Sequence, residues 1–373
     1  MSATPFVPPP YPYDRLNSLK TEILERHGSI VDLSIGTPFD DPPASVVAAL
    51  SSSGAERSYP PSVGTPEFHA AIQRWFVRRC DVAVETDHIG ATVGSKEFVA
   101  LLPQFMSLRD PSRDTVLYPA VSYPSYAMGA TLAGLRPVPV AMHPDGGVDL
   151  DAVAAADVER ALLLWVNTPG NPTGCTDDLA AVAAWGRSHG IPVFSDECYI
   201  EFTWDGPART ILEQGLDGVV AVHSLSKRSN FAGARAGYYA GDPEIVQYLR
   251  EVRKHAGLMV PGPVQAAAAV ALDDDEHVVE QRGRYLERLT RMAEVLSRWS
   301  GSEVALPSGA FYLWMAADDG WELTRRLAHD AGALVSPGEF YGPDGAGFVR
   351  VAVVQPDDEI DRVVDRLRQS ARS

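Results

Sequence analysis

Between about residues 45 and 260 the chain repeats one alternation. Short runs of apolar and β-branched residues (Thr115 to Tyr118, Arg136 to Ala141, Ala161 to Val166, Val193 to Ser195, Gly218 to His223, Gly237 to Ala240) alternate with stretches of helical character. The helical stretches include Lys96 to Leu108, Thr176 to His189 and Pro243 to Gly257. Most of the runs are almost continuously apolar. A strand of that kind is buried on both faces, as in a mostly parallel sheet covered by helices on either side. The chain starts differently, with Pro8 to Pro10, Pro12, Gly36-Thr37-Pro38 and Pro42-Pro43 punctuating an expected helix at Asp14 to His27 and a strand at Val31 to Ile35. It also ends differently. A long charged helix, Asp275 to Trp299, precedes apolar Phe311 to Met315, a helix near Glu322 to Ala331, the run Gly347 to Val354 and a last helix from Asp357. Two helices and two strands behind a connector read as a smaller α+β lobe. The expected fold is therefore α/β: a large doubly wound, mostly parallel sheet domain over residues 45–274, then a connector helix and small domain over 275–373.

Composition narrows the classes of partner. The 373 residues are 45% apolar and 22% charged, ordinary for a globular chain long enough to bury a large core. A net charge of −17 repels phosphate backbones and anionic lipid, so neither nucleic acid nor membrane is an expected partner. The longest apolar runs, Ala161 to Val166 and Ala266 to Leu272, are too short to span a bilayer. Three scattered cysteines, Cys80, Cys175 and Cys198, fit a reducing compartment without disulfides or a zinc cluster. The Pro-rich N-terminus has no apolar signal core, so the expectation is a cytoplasmic protein with no removed leader.

Ligands of doubly wound sheets bind beyond the carboxyl ends of the strands, and five polar clusters follow apolar runs. In Val222-His-Ser-Leu-Ser-Lys227, partial burial would lower the amine pKa of Lys227 and suit it to Schiff-base formation. Ser224, Ser226 and Arg235 around it are fit to hold a phosphate. Asp196, ending Phe194-Ser-Asp196, is ordinarily a cap or an ion-pair partner; beside a cofactor it would keep a ring nitrogen protonated, with Tyr199 donating to a ring oxygen. Asn167-Thr-Pro-Gly-Asn171-Pro-Thr-Gly174 is a turn that also fixes one amide, Asn171. Gly94-Ser95-Lys96 opens a helix whose free N–H groups suit a phosphate. Arg350 lies inside a strand, where an arginine is usually outward and solvated; turned inward, it is a bidentate clamp for a carboxylate.

Each cluster alone is weak, but their order and spacing are specific. Asn171, Asp196, Lys227, Arg235 and Arg350 together resemble the fold-type I, pyridoxal-phosphate-dependent aminotransferases of the aspartate aminotransferase superfamily. The likeness runs along essentially the whole chain. It includes Ile35 to Pro38, Tyr59 to Gly64, Ser122 to Tyr126, Ser308 to Trp314 and Ser336 to Gly338. It implies that residues 1–44 form an arm and part of the small domain. It implies Lys227 as the Schiff-base lysine and proton carrier, Asp196 on the pyridinium nitrogen, and Asn171 and Tyr199 on the phenolic oxygen. Tyr123 would stack on the ring. Ser95, the Lys96 N–H, Ser224, Ser226 and Arg235 would hold the phosphate, with Tyr59 reaching it from a partner subunit of a homodimer. Arg350 would clamp the α-carboxylate of amino acid and 2-oxo acid substrates, with the Gly36 backbone over it.

The Lys227-Arg228-Ser229-Asn230 sequence and the Pro-Pro-Tyr-Pro-Tyr-Asp-Arg start look like the actinobacterial type of succinyldiaminopimelate aminotransferase, of lysine biosynthesis. No arginine matches the partner-subunit position that reads an aspartate side chain, which argues against simple aspartate aminotransferase activity. Arg228 is the candidate for the distal carboxylate of a succinylated acceptor, set against a surface or supporting charge as its ordinary fate. A different keto-acid acceptor and a C–S β-lyase remain alternatives. An effector domain of a transcription regulator would need a basic helix-turn-helix upstream, and about thirteen residues precede the first expected helix.

Overall fold

The computed structural model describes residues 5–371, so the first four residues of the N-terminal stretch read as leaderless, and the last two of the C-terminal lobe, lie outside the described residues. Seven strands form the main sheet, in the order Ile89–Thr92, Gly237–Gly241, Val219–Ser224, Val193–Asp196, Ala161–Asn167, Thr115–Pro119, Arg136–Val140. Gly237–Gly241 runs antiparallel to both neighbours, and every other pair is parallel. The apolar runs explain the arrangement. All of Ala161–Asn167 is buried, and alternate residues of Val219–Ser224 enter different cores, Val219 and Ala221 on one face and Val220 and Val222 on the other. Each buried valine or leucine among them contributes roughly 1.5–3 kcal/mol by leaving water. The proline-containing strand Arg136–Val140 sits at the sheet edge, where missing N–H donors cost least.

The small lobe packs an antiparallel sheet, in the order Ser336–Pro337, Phe348–Ala352, Tyr312–Ala316, with helices Gly320–Ala331 and Asp357–Ser370 and the long helix Glu276–Ser300. N-terminal residues join it. Val31–Asp32 pairs in parallel with Ala333–Leu334, and Val31 and Leu33 share the lobe's core. The strand expected over Val31 to Ile35 stops early because the Ser34 carbonyl accepts from the side chains of Ser336 (2.7 Å) and Arg350 instead of from a ladder partner.

Local chemistry shifts several other boundaries. Asp178 accepts from the N–H groups of Ala180 and Ala181, so the helix expected from Thr176 begins at Leu179. Asp319 caps in the same way, and the helix expected from Glu322 begins at Gly320. The helix expected over Asp14 to His27 is a 3-10 turn, Pro12–Leu16, running into Asn17–His27. Several elements were not expected from the pattern, among them Ile89–Thr92 and the helices Ala44–Ser52, Ser125–Leu132, Ala155–Arg160 and Gly262–Asp273. Ile89–Thr92 is too short and too glycine-rich to read as a strand without its partner. The alanine-rich Gly262–Asp273 is a helix packed on Ala44–Ser52 and Pro66–Cys80.

Candidate active site

In a parallel sheet all carboxyl ends share one edge, so residues far apart in sequence converge there. Ser95 and Lys96 follow Ile89–Thr92, Tyr123 follows Thr115–Pro119, and Asn171 follows Ala161–Asn167. Asp196 ends its strand, and Ser224, Ser226 and Lys227 follow the next. The small lobe adds Gly36 and Arg350. All of these, with Tyr199 and Arg235, line one cavity of about 290 Å³.

Lys227 lies in a single helical turn, Leu225–Arg228, whose cap is the Ser224 side chain accepting from the Ser226 N–H. Its amine donates to the Gly36 carbonyl. Burial pushes its pKa down to about 8, with Cys198 opposing and Arg350 and Arg235 reinforcing. A substantial neutral fraction near pH 8 is what a lysine nucleophile requires. Gly36 is needed for this approach, since a Cβ there would lie 2.1 Å from the Tyr312 hydroxyl.

Asp196 accepts from the Tyr126 hydroxyl (2.8 Å) and the Cys198 N–H (3.2 Å). Burial pushes its pKa up, while bonds from Cys198 and Tyr126 pull it down. Among the described residues no lysine or arginine pairs with it, so the carboxylate is available to a cationic ring nitrogen in the cavity. At the other end is an anion cup. Gly94 has a φ of 73°, and a Cβ there would lie 2.2 Å from Nη2 of Arg235. Glycine thus lets the guanidinium lie against the N-terminus of helix Ser95–Arg109. Arg235 itself holds a left-handed φ of 62°, a strain of about 1–3 kcal/mol for a non-glycine residue. The Ser224 and Ser226 hydroxyls, 2.9 Å apart, complete the cup.

Arg350 is buried rather than outward and solvated. Its Nη1 donates to Oδ1 of Asn171 (2.7 Å) and its Nη2 to the Ser34 carbonyl, while its Nε has no protein partner. Its guanidinium carbon lies 4.3 Å from the centre of the Tyr312 ring. With the Asn171 carbonyl engaged, that side chain's NH2 is left to donate into the cavity. Tyr199 and Tyr312 share a hydroxyl–hydroxyl bond of 2.7 Å. An anion cup, an unpaired buried carboxylate and an amine of lowered pKa fit the phosphate, ring nitrogen and aldehyde of pyridoxal 5′-phosphate.

One expected residue does not reach the cavity. Arg228 is buried behind it, donating to Glu201 (2.9 Å) and Asp275 (2.8 Å) and to the Ala271 carbonyl. Burial pushes Glu201 up, but Arg228 and Arg79 more than offset this and hold it below the usual carboxylate range. The reader of a distal carboxylate is therefore not Arg228. Arg228→Met should cost about 3 kcal/mol of stability in a denaturant melt, because a buried carboxylate loses a partner. Its effect on KM should be equal for all acceptors. Tyr59, at 91% exposure, does not line its own chain's cavity. The expectation also lacked Tyr11 and Tyr13 of the arm, Cys198, Tyr312 and the Asp196 partner Tyr126. The last two fall inside segments that carried the resemblance, and only the packing gives them a task.

The family model for aminotransferase class I and II matches residues 28–367. The 4-dedimethylamino-4-oxo-anhydrotetracycline transaminase OxyQ of Streptomyces rimosus is 38% identical, over 96% of this chain and 99% of its own length. An LL-diaminopimelate aminotransferase of Aquifex aeolicus is 31% identical over 96% of each chain. A solved structure of a probable N-succinyldiaminopimelate aminotransferase from Thermus thermophilus superposes with a TM-score of 0.85 at 31% identity, covering 96% of this chain and 99% of that one. The chain belongs to the class I and II aminotransferases, enzymes that work with pyridoxal 5′-phosphate.

Proposed function

We infer that this aminotransferase moves the amino group of glutamate to N-succinyl-2-amino-6-ketopimelate, in the synthesis of diaminopimelate and lysine. The observation that carries the reaction is the convergence of Lys227, Asp196, Arg235 and Arg350 on one cavity. The acceptor is supported by the likeness to diaminopimelate and probable succinyldiaminopimelate aminotransferases.

When bound, the cofactor supplies the electron sink that makes loss of the substrate's Cα proton feasible. Arg350 orients the α-carboxylate. The Lys227 amine would take the proton from the substrate's Cα and hold it for return. Asp196 holds the proton on the ring nitrogen, and the Asn171 amide and Tyr199 hydroxyl donate to O3′. Tyr123 packs on the ring face. Ser95, the Lys96 N–H, Ser224, Ser226 and Arg235 hold the phosphate. Residues 45–274 form the cofactor-binding domain, and 1–44 with 275–373 close over it. The enzyme works as a cytoplasmic homodimer, with Tyr59 of each chain reaching the other's phosphate. The near-full exposure of Tyr59 outside its own cavity supports that role, and an odd, widely spaced cysteine count without a C-x-x-C supports a reducing compartment.

Arg350→Ala should impair both half-reactions alike, since donor and acceptor present the same α-carboxylate to one clamp. The expected loss in kcat/KM corresponds to about 2–5 kcal/mol for each. A defect confined to one substrate in single-turnover assays would move Arg350 out of this role. The acceptor is tested by a panel of keto acids with glutamate as donor, in which N-succinyl-2-amino-6-ketopimelate should have the highest kcat/KM. A second reading, amination of the ring ketone named for the S. rimosus relative, is favoured by the higher identity to that enzyme. It replaces the first if that ketone outranks the keto acids. Light scattering should show a dimer, and Tyr59→Phe should loosen the cofactor; a fully active monomer would remove both the dimer and the tyrosine's role.

A further inference from the structure

Tyr199 follows the main-sheet strand Val193–Asp196, and Tyr312 opens the small-lobe strand Tyr312–Ala316. Their hydroxyls meet between the sheet and the lobe at 2.7 Å, in a bond whose proton either could supply. Both residues are buried and both line the cavity. Among the described residues neither hydroxyl has another hydrogen-bond partner. Each hydroxyl has one proton to give, so the direction of this bond decides what the pair offers a ligand. With Tyr199 as donor, its oxygen presents only lone pairs to the cavity. With Tyr312 as donor, the Tyr199 proton is left for an acceptor there.

The surroundings make Tyr312 the donor. In the register of Phe348–Ala352 against Tyr312–Ala316, Arg350 stands opposite Trp314. Tyr312, two residues earlier, is therefore a diagonal neighbour of Arg350 on the same face. The guanidinium carbon accordingly lies 4.3 Å from the centre of the Tyr312 ring. A cation over a phenol favours its ionised form and so sharpens its hydroxyl as a donor. Burial pushes both phenols up, but with Arg350 opposing it Tyr312 reaches only about 12, while Tyr199 lies well above its ordinary range. Between two hydroxyls the stronger acid is the better donor. Gly36 lies against the Tyr312 oxygen, where even a Cβ would be only 2.1 Å away, so that oxygen is held in place.

We propose that Tyr312 is a positioning residue of the reaction: it donates to the Tyr199 hydroxyl and thereby commits the Tyr199 proton to the cofactor's phenolic oxygen. This deepens the reading above and rests on it for the proton that Tyr199 gives to O3′. A hydroxyl that accepts one hydrogen bond is polarised and donates the next more strongly. The phenolic oxygen is thus better held as an anion with Tyr312 in place than with Tyr199 alone. Arg350, lying over the Tyr312 ring, polarises the same chain, so one side chain connects the carboxylate clamp to the ring oxygen.

The test is a pH titration of the holoenzyme without substrate, following the cofactor's visible band in wild type, Tyr312→Phe, Tyr199→Phe and the double variant. Phenylalanine keeps the ring under Arg350 and removes only the hydroxyl. Tyr199→Phe should raise the midpoint pH, because the anionic oxygen loses its donor. Tyr312→Phe should raise it too, by about 0.5–1 pH unit, the worth of one neutral hydrogen bond. The double variant should match Tyr199→Phe alone, since Tyr312 reaches the cofactor only through Tyr199. Affinity for the unreactive acid hexanoate, read from the same band, should be unchanged in Tyr312→Phe. If Tyr199→Phe moves the midpoint and Tyr312→Phe does not, the proposal falls and Tyr199 keeps its role. It falls equally if the two single shifts add in the double variant. A Tyr312→Phe enzyme that only binds hexanoate more weakly would make Tyr312 a support for Arg350 alone and overturn the proposal. A Tyr199→Phe midpoint equal to that of wild type overturns the Tyr199 reading and this proposal with it.

Discussion

Lys227→Ala should abolish turnover, by on the order of 10⁵-fold or more, and leave no cofactor adduct that borohydride can reduce onto the protein. No other amine is placed to substitute. Lys96 is held at the wall by Tyr11 and Tyr123, and Arg235 and Arg350 are not nucleophiles at any ordinary pH. Cofactor should still bind through the phosphate cup, so content and activity separate. A borohydride-fixed adduct in the variant would assign the nucleophile elsewhere.

The same lysine carries a pH signature in the cofactor-free protein. Its folded pKa of about 8 lies below its unfolded value of about 10.4. Between those values the unfolded chain binds more protons, so stability rises with pH across that window. Below about pH 8 the folded state carries the buried ammonium at full cost. Lys227→Met apoprotein should accordingly be more stable than wild-type apoprotein at pH 7, by about 3 kcal/mol, and the gap should close toward pH 10. Melts at three pH values decide it; a gap that did not change with pH would show that the amine is not the cause.

Asp196→Asn should keep the cofactor yet lose on the order of 10³–10⁴-fold in rate. The neutral amide cannot hold a proton on the ring nitrogen, and a neutral ring is a poor electron sink. The groups proposed to hold the phosphate, Ser224, Ser226 and Arg235, are not bonded to Asp196 and keep their own contacts. The surrounding donors add a structural cost, since the Tyr126 hydroxyl and the Cys198 N–H both point at carboxylate oxygens and an amide can accept through only one atom. Cofactor content measured after denaturation, beside the single-turnover rate, separates the two effects. A near-native rate would reduce Asp196 to a capping residue.

Much of the site was legible because its residues follow apolar runs. A run such as Ala161 to Val166 has to be a buried strand, and its end is then a sheet edge where a polar residue meets a ligand. Asn171, Asp196, Ser224 and Lys227 were found that way. Arg350 was legible only through its place in the family's order, because a charged residue inside a strand reads as solvated until the opposing surface is known. Tyr126 and Tyr312 carried no signal of their own. An aromatic residue on a helix or strand looks like core, and both are core residues whose hydroxyls also reach into the site.

By itself the amino-acid sequence determined the sheet, its two coverings, the separate small lobe and the edge at which ligands gather. Those follow from local hydrophobic pattern, which acts over a few residues. Direction was decided only by the tertiary structure. Lys227 and Arg228 are neighbours in one helical turn, and successive helical residues point about 100° apart. Lys227 therefore faces the cavity while Arg228 turns back to Glu201 and Asp275, two carboxylates from distant segments that no local pattern ties to it. Lys96 reverses the case. Nothing in Gly94-Ser95-Lys96 separates its side chain from any solvated lysine, and it is the convergence of the arm's Tyr11 with Tyr123 that holds the ammonium on the cavity wall.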